Sequence, residues 1–356
     1  MNINSLGKVK ESIINRSILK NMDVIGTSAT KIAEGVDEIE YAYAKAINSA
    51  WISLCRKPNM ISISITLPKE YDEEKLKDIA RLCDRLAKEN DLQISGGSTI
   101  VSDKVTDVIV SFTVFYDEAL KNQSDDFADN VDAGRANDLK AILLKNKKEV
   151  KSRMDSEEIY ILMTAYTGID GTAYLFENFK EKIHEVLGNS LDTSYEKFKS
   201  WMNVRDHVET IVEVLKSEIK AKNDIKNENF NDNRINNRIN LFYIDNLGTG
   251  GIYEGLSNLA SSLNCGFEVD LKKISIRQET VEACNIMDVN PYMMRSAGSV
   301  VFATSNPDEY ISRLEDKGIP VSIIGKLSKN NDKIIMIDDE KKYVEPFKGD
   351  VLKNIH

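Results

Sequence analysis

The sequence predicts a two-domain α/β protein, and three observations lead there. Segments that look like strands, alternating or continuously apolar, take turns with segments whose apolar residues fall three and four apart, as when helices cover a sheet. At 356 residues the chain is long enough for two cores of ordinary size. Within the second half, residues 241–267, LFYIDNLGTGGIYEGLSNLASSLNCGF, combine a strand, a glycine-rich turn and a helix.

In chain order, residues 5–21 predict a helix with Val9, Ile13, Ile14, Ile18 and Leu19 in a partial stripe, and 23–30 a short strand and turn. Residues 38–54, EIEYAYAKAINSAWISL, form a stronger helix whose alanines allow close packing on a sheet. Pro58 follows as a breaker, because proline lacks the N–H and clashes with the preceding turn. The alternation in 60–67, MISISITL, predicts a strand; 72–89 is an amphipathic helix. Residues 93–95 are a short strand running into a Gly96-Gly97-Ser98-Thr99 turn, and 107–115 is another apolar strand. The first half therefore reads as a mixed sheet backed by helices. Residues 122–155 are polar and charged, with one helical patch at 137–150, and are expected as a solvated connector or inserted helix.

The second half opens with a buried strand at 159–166, IYILMTAY, then Thr167-Gly168-Ile169-Asp170-Gly171-Thr172 and a helix at 173–187. Residues 195–222 are mostly helical, and 222–240, rich in asparagine and poor in apolar residues, read as a mobile loop. After 241–267 the pattern gives a strand at 267–271, a helix at 277–287, a strand at 299–303, a helix at 307–317, a strand at 321–327 and a hairpin at 333–343. Gly318 is the stop signal of the last helix. A boundary near Asp155 divides the chain into domains 1–155 and 156–356.

Composition narrows the function. The 42% hydrophobic and 29% charged residues are those of a soluble globular protein, and no apolar run reaches the roughly 20 residues of a membrane span. Residues 1–17 lack an apolar signal core, so cytoplasmic residence is expected. Cys55, Cys83, Cys265 and Cys284 have no paired spacing and predict buried thiols, neither zinc site nor disulfide framework. Three histidines, His184, His207 and His356, offer little for acid–base chemistry. A net charge of −10 argues against nucleic acid and anionic membranes as partners.

The glycine turn holds Asp245, Gly248, Gly250 and Gly251 just before a helix with Ile252, Leu256, Leu259 and Leu263 on one side. N–H groups at such a helix start converge on one point and suit an anion such as phosphate. A plain strand–helix connection with small residues for close packing fits the same spacing. Gly168, Gly171 and Thr172 read as a helix cap, and Trp51, Trp201, Tyr41 and Tyr43 as packing residues.

Several segments, in this order, resemble the AIR-synthase-related (PurM-like) superfamily, nearest to its hydrogenase expression/formation (HypE-like) branch. The likeness is clearest in GFEVDLKKISIRQETVEACNIMDVNPYMMRSAGSVVFATSN, with Asn290-Pro291 before a helix turn and Ser296-Ala297-Gly298-Ser299 before a strand, and then in GIPVSIIGKL and YVEPFKGDVL. In the first half it rests on 48–58, 94–102 and 168–172, and it passes over 122–155 and 222–240. The resemblance implies N-terminal mixed sheets that pair into a barrel across a homodimer, and a C-terminal α/β sandwich. It also implies ATP between the domains, magnesium held by carboxylates, and phosphorylation of an amide-like oxygen or a small acceptor.

Position by position, the acidic residues of that pattern are thin here. The first acidic strand would fall between Ser17 and Asp23, where it is missing, and the next strand ends in Ser28. An Asn-Asp pair is met by Asn48-Ser49, a Gly-Gly-acid-Thr turn by Gly96-Gly97-Ser98-Thr99, and the acidic signature of the second domain by Asp245 with Gly250-Gly251. The resemblance thus makes Asn48, Gly96, Gly97, Thr99, Asp245, Gly250 and Gly251 nucleotide-binding candidates and Asp245 the candidate metal ligand, with no catalytic residue assigned. Magnesium prefers carboxylate oxygens over a neutral hydroxyl, so weak or absent Mg-ATP chemistry is expected. The ending Asn354-Ile355-His356 also lacks the terminal thiol of hydrogenase-maturation proteins. Three functions are in play: a catalytically degenerate scaffold or binding protein, homodimeric and serving a protein partner or a catalytic paralogue; an ATP-dependent kinase or ligase-like enzyme with its charge supplied by Asp245, Asp23 and Asp103; and a small-molecule sensor that keeps the cleft without the chemistry.

Overall fold

Alternating inward residues build the first sheet. In the computed structural model, which describes residues 29–54, 57–116, 133–189, 192–227, 239–344 and 349–355, strands β1 (Ala29–Glu34), β2 (Met60–Pro68), β3 (Gln93–Ser102) and β4 (Ile109–Phe115) lie in the order β1-β4-β2-β3. Strand β4 is antiparallel to both neighbours, and β2 and β3 are parallel. The parallel pair needs a crossover, and helix α2 (Glu73–Glu89) supplies it, its start capped by Asp72, which accepts from Lys75 N at 3.0 Å. Val110, Phe112 and Val114 of β4 point to one face, where helix α1 (Ile39–Leu54) buries Ala42, Ala46 and Ala50. The expectations for 5–21, for the strand missing between Ser17 and Asp23, and for Ser28 lie outside the described residues.

Of the strand and turn expected at 23–30, residues 29–30 open β1, and 23–28 lie outside the described residues. One expectation for this half is corrected. Gly96, Gly97 and Thr99 form no turn: β3 runs straight through them, paired with Ser62, Ile63 and Ile65 of β2. Gly97 has φ +157°, and a Cβ there would collide with the Ile63 carbonyl oxygen, so glycine serves close strand approach.

The second sheet contains β5 (Tyr160–Thr164), β6 (Leu241–Asn246), β7 (Gly266–Asp270), β8 (Val300–Thr304), β9 (Val321–Ser328), β10 (Lys333–Ile337) and β11 (Glu340–Tyr343), ordered β11-β10-β7-β9-β5-β8-β6. Its pairs are antiparallel except β7 with β10. Its helices are α3 (Ala133–Arg153), α4 (Ile169–Asn178), α5 (Lys180–Leu187), α6 (Asp192–Ser200), α7 (Arg205–Asn227), α8 (Gly251–Leu263), α9 (Gln278–Met287) and α10 (Pro307–Asp316).

Helix α3 is more than a wet connector. Val150 is buried, Asn146 Nδ2 donates to the carbonyls of Ile239 (3.2 Å) and Leu241 (2.9 Å), and the Arg153 guanidinium lies 4.6 Å from the Phe242 ring. Helix α4 begins at Ile169, so Gly171 and Thr172 lie inside it, and Phe179 separates it from α5. Strand β6 continues to Asn246, which places Asp245 in the strand and outside the turn. Helix α7 reaches Asn227, so residues 222–227 of the expected loop are helical; 228–238 lie outside the described residues. One apolar cluster joins the halves: Ala46, Ile47 and Phe112 share it with Val208, Ile211, Phe302 and Leu314.

Candidate functional site

The segment from Tyr292 to Ser299, between α9 and β8, is where both glycine turns meet. Ser296 Oγ accepts from Gly168 N at 2.7 Å, and Ser296 N donates to Gly248 O at 3.2 Å. Ala297 N donates to Asp170 Oδ1 at 2.6 Å, and Leu247 N to Ser299 O at 2.9 Å. The glycines allow this crowding. A Cβ on Gly251 would run into the Met294 carbonyl oxygen, and one on Gly171 into the Met294 side chain.

At the β6–α8 turn two backbone donors are already taken. Gly250 N donates to Glu254 Oε2 at 2.8 Å, and Gly251 N to Gly248 O at 3.2 Å. Next to them, half-buried Asp245 accepts from Tyr243 Oη at 3.1 Å and from Asn246 N at 2.9 Å. Burial pushes its carboxyl above the usual aspartate value; the Tyr243 and Asn246 bonds and Lys31 of β1 pull it back, and Glu254 adds to the rise. Asp245, Gly250 and Gly251 therefore sit together.

The other candidates sit elsewhere. Asn48 is buried in α1; its Nδ2 donates to Met202 O at 2.7 Å and its Oδ1 accepts from Val204 N at 3.2 Å. It lines an open hollow of about 310 Å³ with Tyr43, Leu86 and Lys199, but its amide is committed to positioning the turn before α7. Gly96, Gly97 and Thr99 are exposed on β3, three strand spacings, roughly 14 Å, from β1.

A buried concentration of charge lies at a residue that periodicity does not single out. Arg295 is 2% exposed, its guanidinium 4.6 Å from the Tyr41 ring and 4.2 Å from that of Tyr174. Its Nη1 donates to Glu38 Oε1 and Oε2 at 3.0 and 2.9 Å. Asp170 Oδ2 stands 3.5 Å from Nε, Asp350 Oδ2 3.7 Å from Nη1, and Lys45 Nζ 3.8 Å from Asp170 Oδ2. Burial raises the Asp170 carboxyl and lowers the Lys45 ammonium, and each charge opposes the effect on the other. Two signals were on hand in the sequence: Asp170 inside a glycine-rich helix start and Arg295 inside an otherwise small and apolar run.

Residues 243–338 match the family model of AIR synthase related protein, C-terminal domain. The chain has the AIR-synthase-related fold. A putative hydrogenase expression/formation protein of Methanocaldococcus jannaschii is 23% identical over 284 residues, covering 79% of this chain and 67% of its own length. The structure of a HypE–HypF complex superposes with a TM-score of 0.60 over 96% of this chain and 99% of the other, at 14% identity. AaThiL, complexed with AMPPCP and TMP, gives 0.56 over 98% of both chains at 13% identity. At these identities the structures establish shared architecture.

ATP and magnesium are what the resemblance implies, and a phosphate would be placed at the chain's own glycine turn. A phosphate there would need the Gly250 N–H that Glu254 holds, and it would meet the Glu254 carboxylate. At Gly250, Glu254 therefore competes with a phosphate for the donor. Among the described residues, no three His, Cys, Asp or Glu side chains are grouped to hold a metal ion. Among the described residues, no helix is long and apolar enough to cross a membrane.

Proposed function

We propose that this chain is a binding or assembly protein on the AIR-synthase-related fold, with weak or no Mg-ATP chemistry. One observation carries the reading: Glu254 Oε2 accepts the Gly250 N–H at 2.8 Å, so the chain's own carboxylate fills the anion position of the β6–α8 turn. Replacing a tethered anion with a free one gains nothing, and two anions on one donor repel. Calorimetric titration with Mg-ATP is expected to give no turnover and no tight binding, and Glu254→Ala is expected to raise phosphate or ATP affinity by about tenfold. Micromolar, magnesium-dependent binding with turnover by the wild-type chain would overturn the reading.

The same reading includes domains at 1–155 and 156–356, a homodimer formed through the first sheet, and a protein partner. In register, Ile32 of β1 and Ile100 of β3 lie on the face opposite Val110 and Phe112, and they are 60% and 54% exposed. In a solved structure HypE is in complex with HypF, which supports a protein partner here.

The second reading, an ATP-dependent enzyme, draws on Asp245, a half-buried carboxyl shifted upward by burial beside Tyr243 and Glu254. ATPase activity abolished by Asp245→Asn would favour it; activity that survives the change would count against it.

A further inference from the structure

A hollow of about 310 Å³ opens between α1, the end of α2 and the turn that joins α6 to α7, so both halves of the chain build it. It shares no residue with the β6–α8 turn, and its size lies at the small end of ligand pockets. Its deepest lining is apolar: Tyr43, Ile47, Leu86 and Met202 are buried, and Tyr43 Oη is committed to Leu86 O at 2.5 Å.

Charge is confined to the rim. Glu40 is shared by two cations, its Oε1 accepting from Arg85 Nη2 at 3.0 Å and its Oε2 from Lys199 Nζ at 2.8 Å. Lys199 also pairs with Glu177, which accepts from Tyr41 Oη at 2.5 Å. Glu40 and Lys199 are therefore occupied, whereas Arg85 and Glu89 have capacity to spare. Among the described residues, Arg85 donates through Nη2 alone, and Glu89, one turn further along α2, lies 3.9 Å from Arg85 Nε and accepts no hydrogen bond. Both side chains are more than half exposed, at 59% and 57%.

The rim is neutral overall, with Arg85 and Lys199 set against Glu40 and Glu89. A lone anion there would meet two carboxylates, and a lone cation two basic groups. A molecule that carries both charges can set its carboxylate against the unused N–H groups of Arg85 and its ammonium against Glu89, with its middle over Leu86. Four helical residues separate Arg85 from Glu89, about 6 Å along the axis, and two extended residues span at most about 7 Å.

We propose that this hollow is a binding site for a dipeptide-sized zwitterion, held by Arg85 and Glu89 above the apolar floor. Filled, it ties the end of α2 to the α6–α7 turn across the junction of the two halves. Its rim also reaches the Arg295 cluster, because Lys199 connects through Glu177 to Tyr41, whose ring lies 4.6 Å from the guanidinium.

Calorimetric titration of the full chain with glycylglycine, beside acetate and methylammonium, tests this. Glycylglycine is expected to bind about tenfold more tightly than either singly charged compound. Arg85→Ala and Glu89→Gln, both at exposed positions, are expected to keep the wild-type far-UV spectrum and to weaken glycylglycine about tenfold each. No binding of glycylglycine up to about 10 mM would overturn the proposal. Equal affinity for acetate would do the same, as would unchanged affinity in either variant.

Discussion

His207 of α7 lies against Thr164 of β5, whose Oγ1 is 3.0 Å from its Nδ1, and burial holds the imidazole down to about 4. The unfolded chain takes up that proton near 6.5 and the folded chain near 4. Stability from this group is therefore complete above 6.5 and is lost as pH falls towards 4, on the order of 3 kcal/mol at most. Urea midpoints measured across that window are expected to fall with pH in the wild type and to flatten in His207→Gln. Arg295 is the other residue whose loss is expected to be costly. Arg295→Met leaves Glu38 without its hydrogen-bonded cation and buried Asp170 with Lys45 alone, an expected cost of about 3 kcal/mol in denaturant unfolding.

At the scale of elements, α1 and α8 were legible because their apolar residues recur at helical spacing and burial follows that spacing. Ala42, Ala46 and Ala50 of α1, and Ile252, Leu256, Leu259 and Leu263 of α8, are all buried. Glycines were harder to interpret. Gly96 and Gly97 suit a turn by composition, yet they continue β3, and at Gly97 what demands glycine is the Ile63 carbonyl of a neighbouring strand. Gly251 is a case where both demands meet: its φ of +61° is left-handed, and a side chain there would strike the Met294 backbone. Gly251→Ala is expected to cost about 2 kcal/mol or more, read as a lowered melting temperature.

For the whole molecule, the open question of assembly turns on the uncovered face of the first sheet. Ile100 is 54% exposed, so Ile100→Lys disturbs little within one chain. If that face pairs with a second copy, a buried ammonium there is costly. Sedimentation of the wild type is expected to show a dimer, and Ile100→Lys is expected to shift it to monomer with an unchanged far-UV spectrum.

Local pattern by itself determined most strands and helices from Met60 onward, because each amphipathic face needs only its own spacing to be recognised, but it missed the strand through Gly96 and Gly97 and the breaks that divide 173–187 and 195–222 into two helices each. It also pointed to Asp245, Gly250 and Gly251 as one unit, since they are neighbours in the chain. Tertiary structure alone decided that Glu254 folds back on Gly250, and that Glu38, Lys45, Asp170, Arg295 and Asp350 meet at one buried place. Charges brought together from both ends of a chain leave no spacing to read; their attraction exists only once the two sheets have been brought into contact.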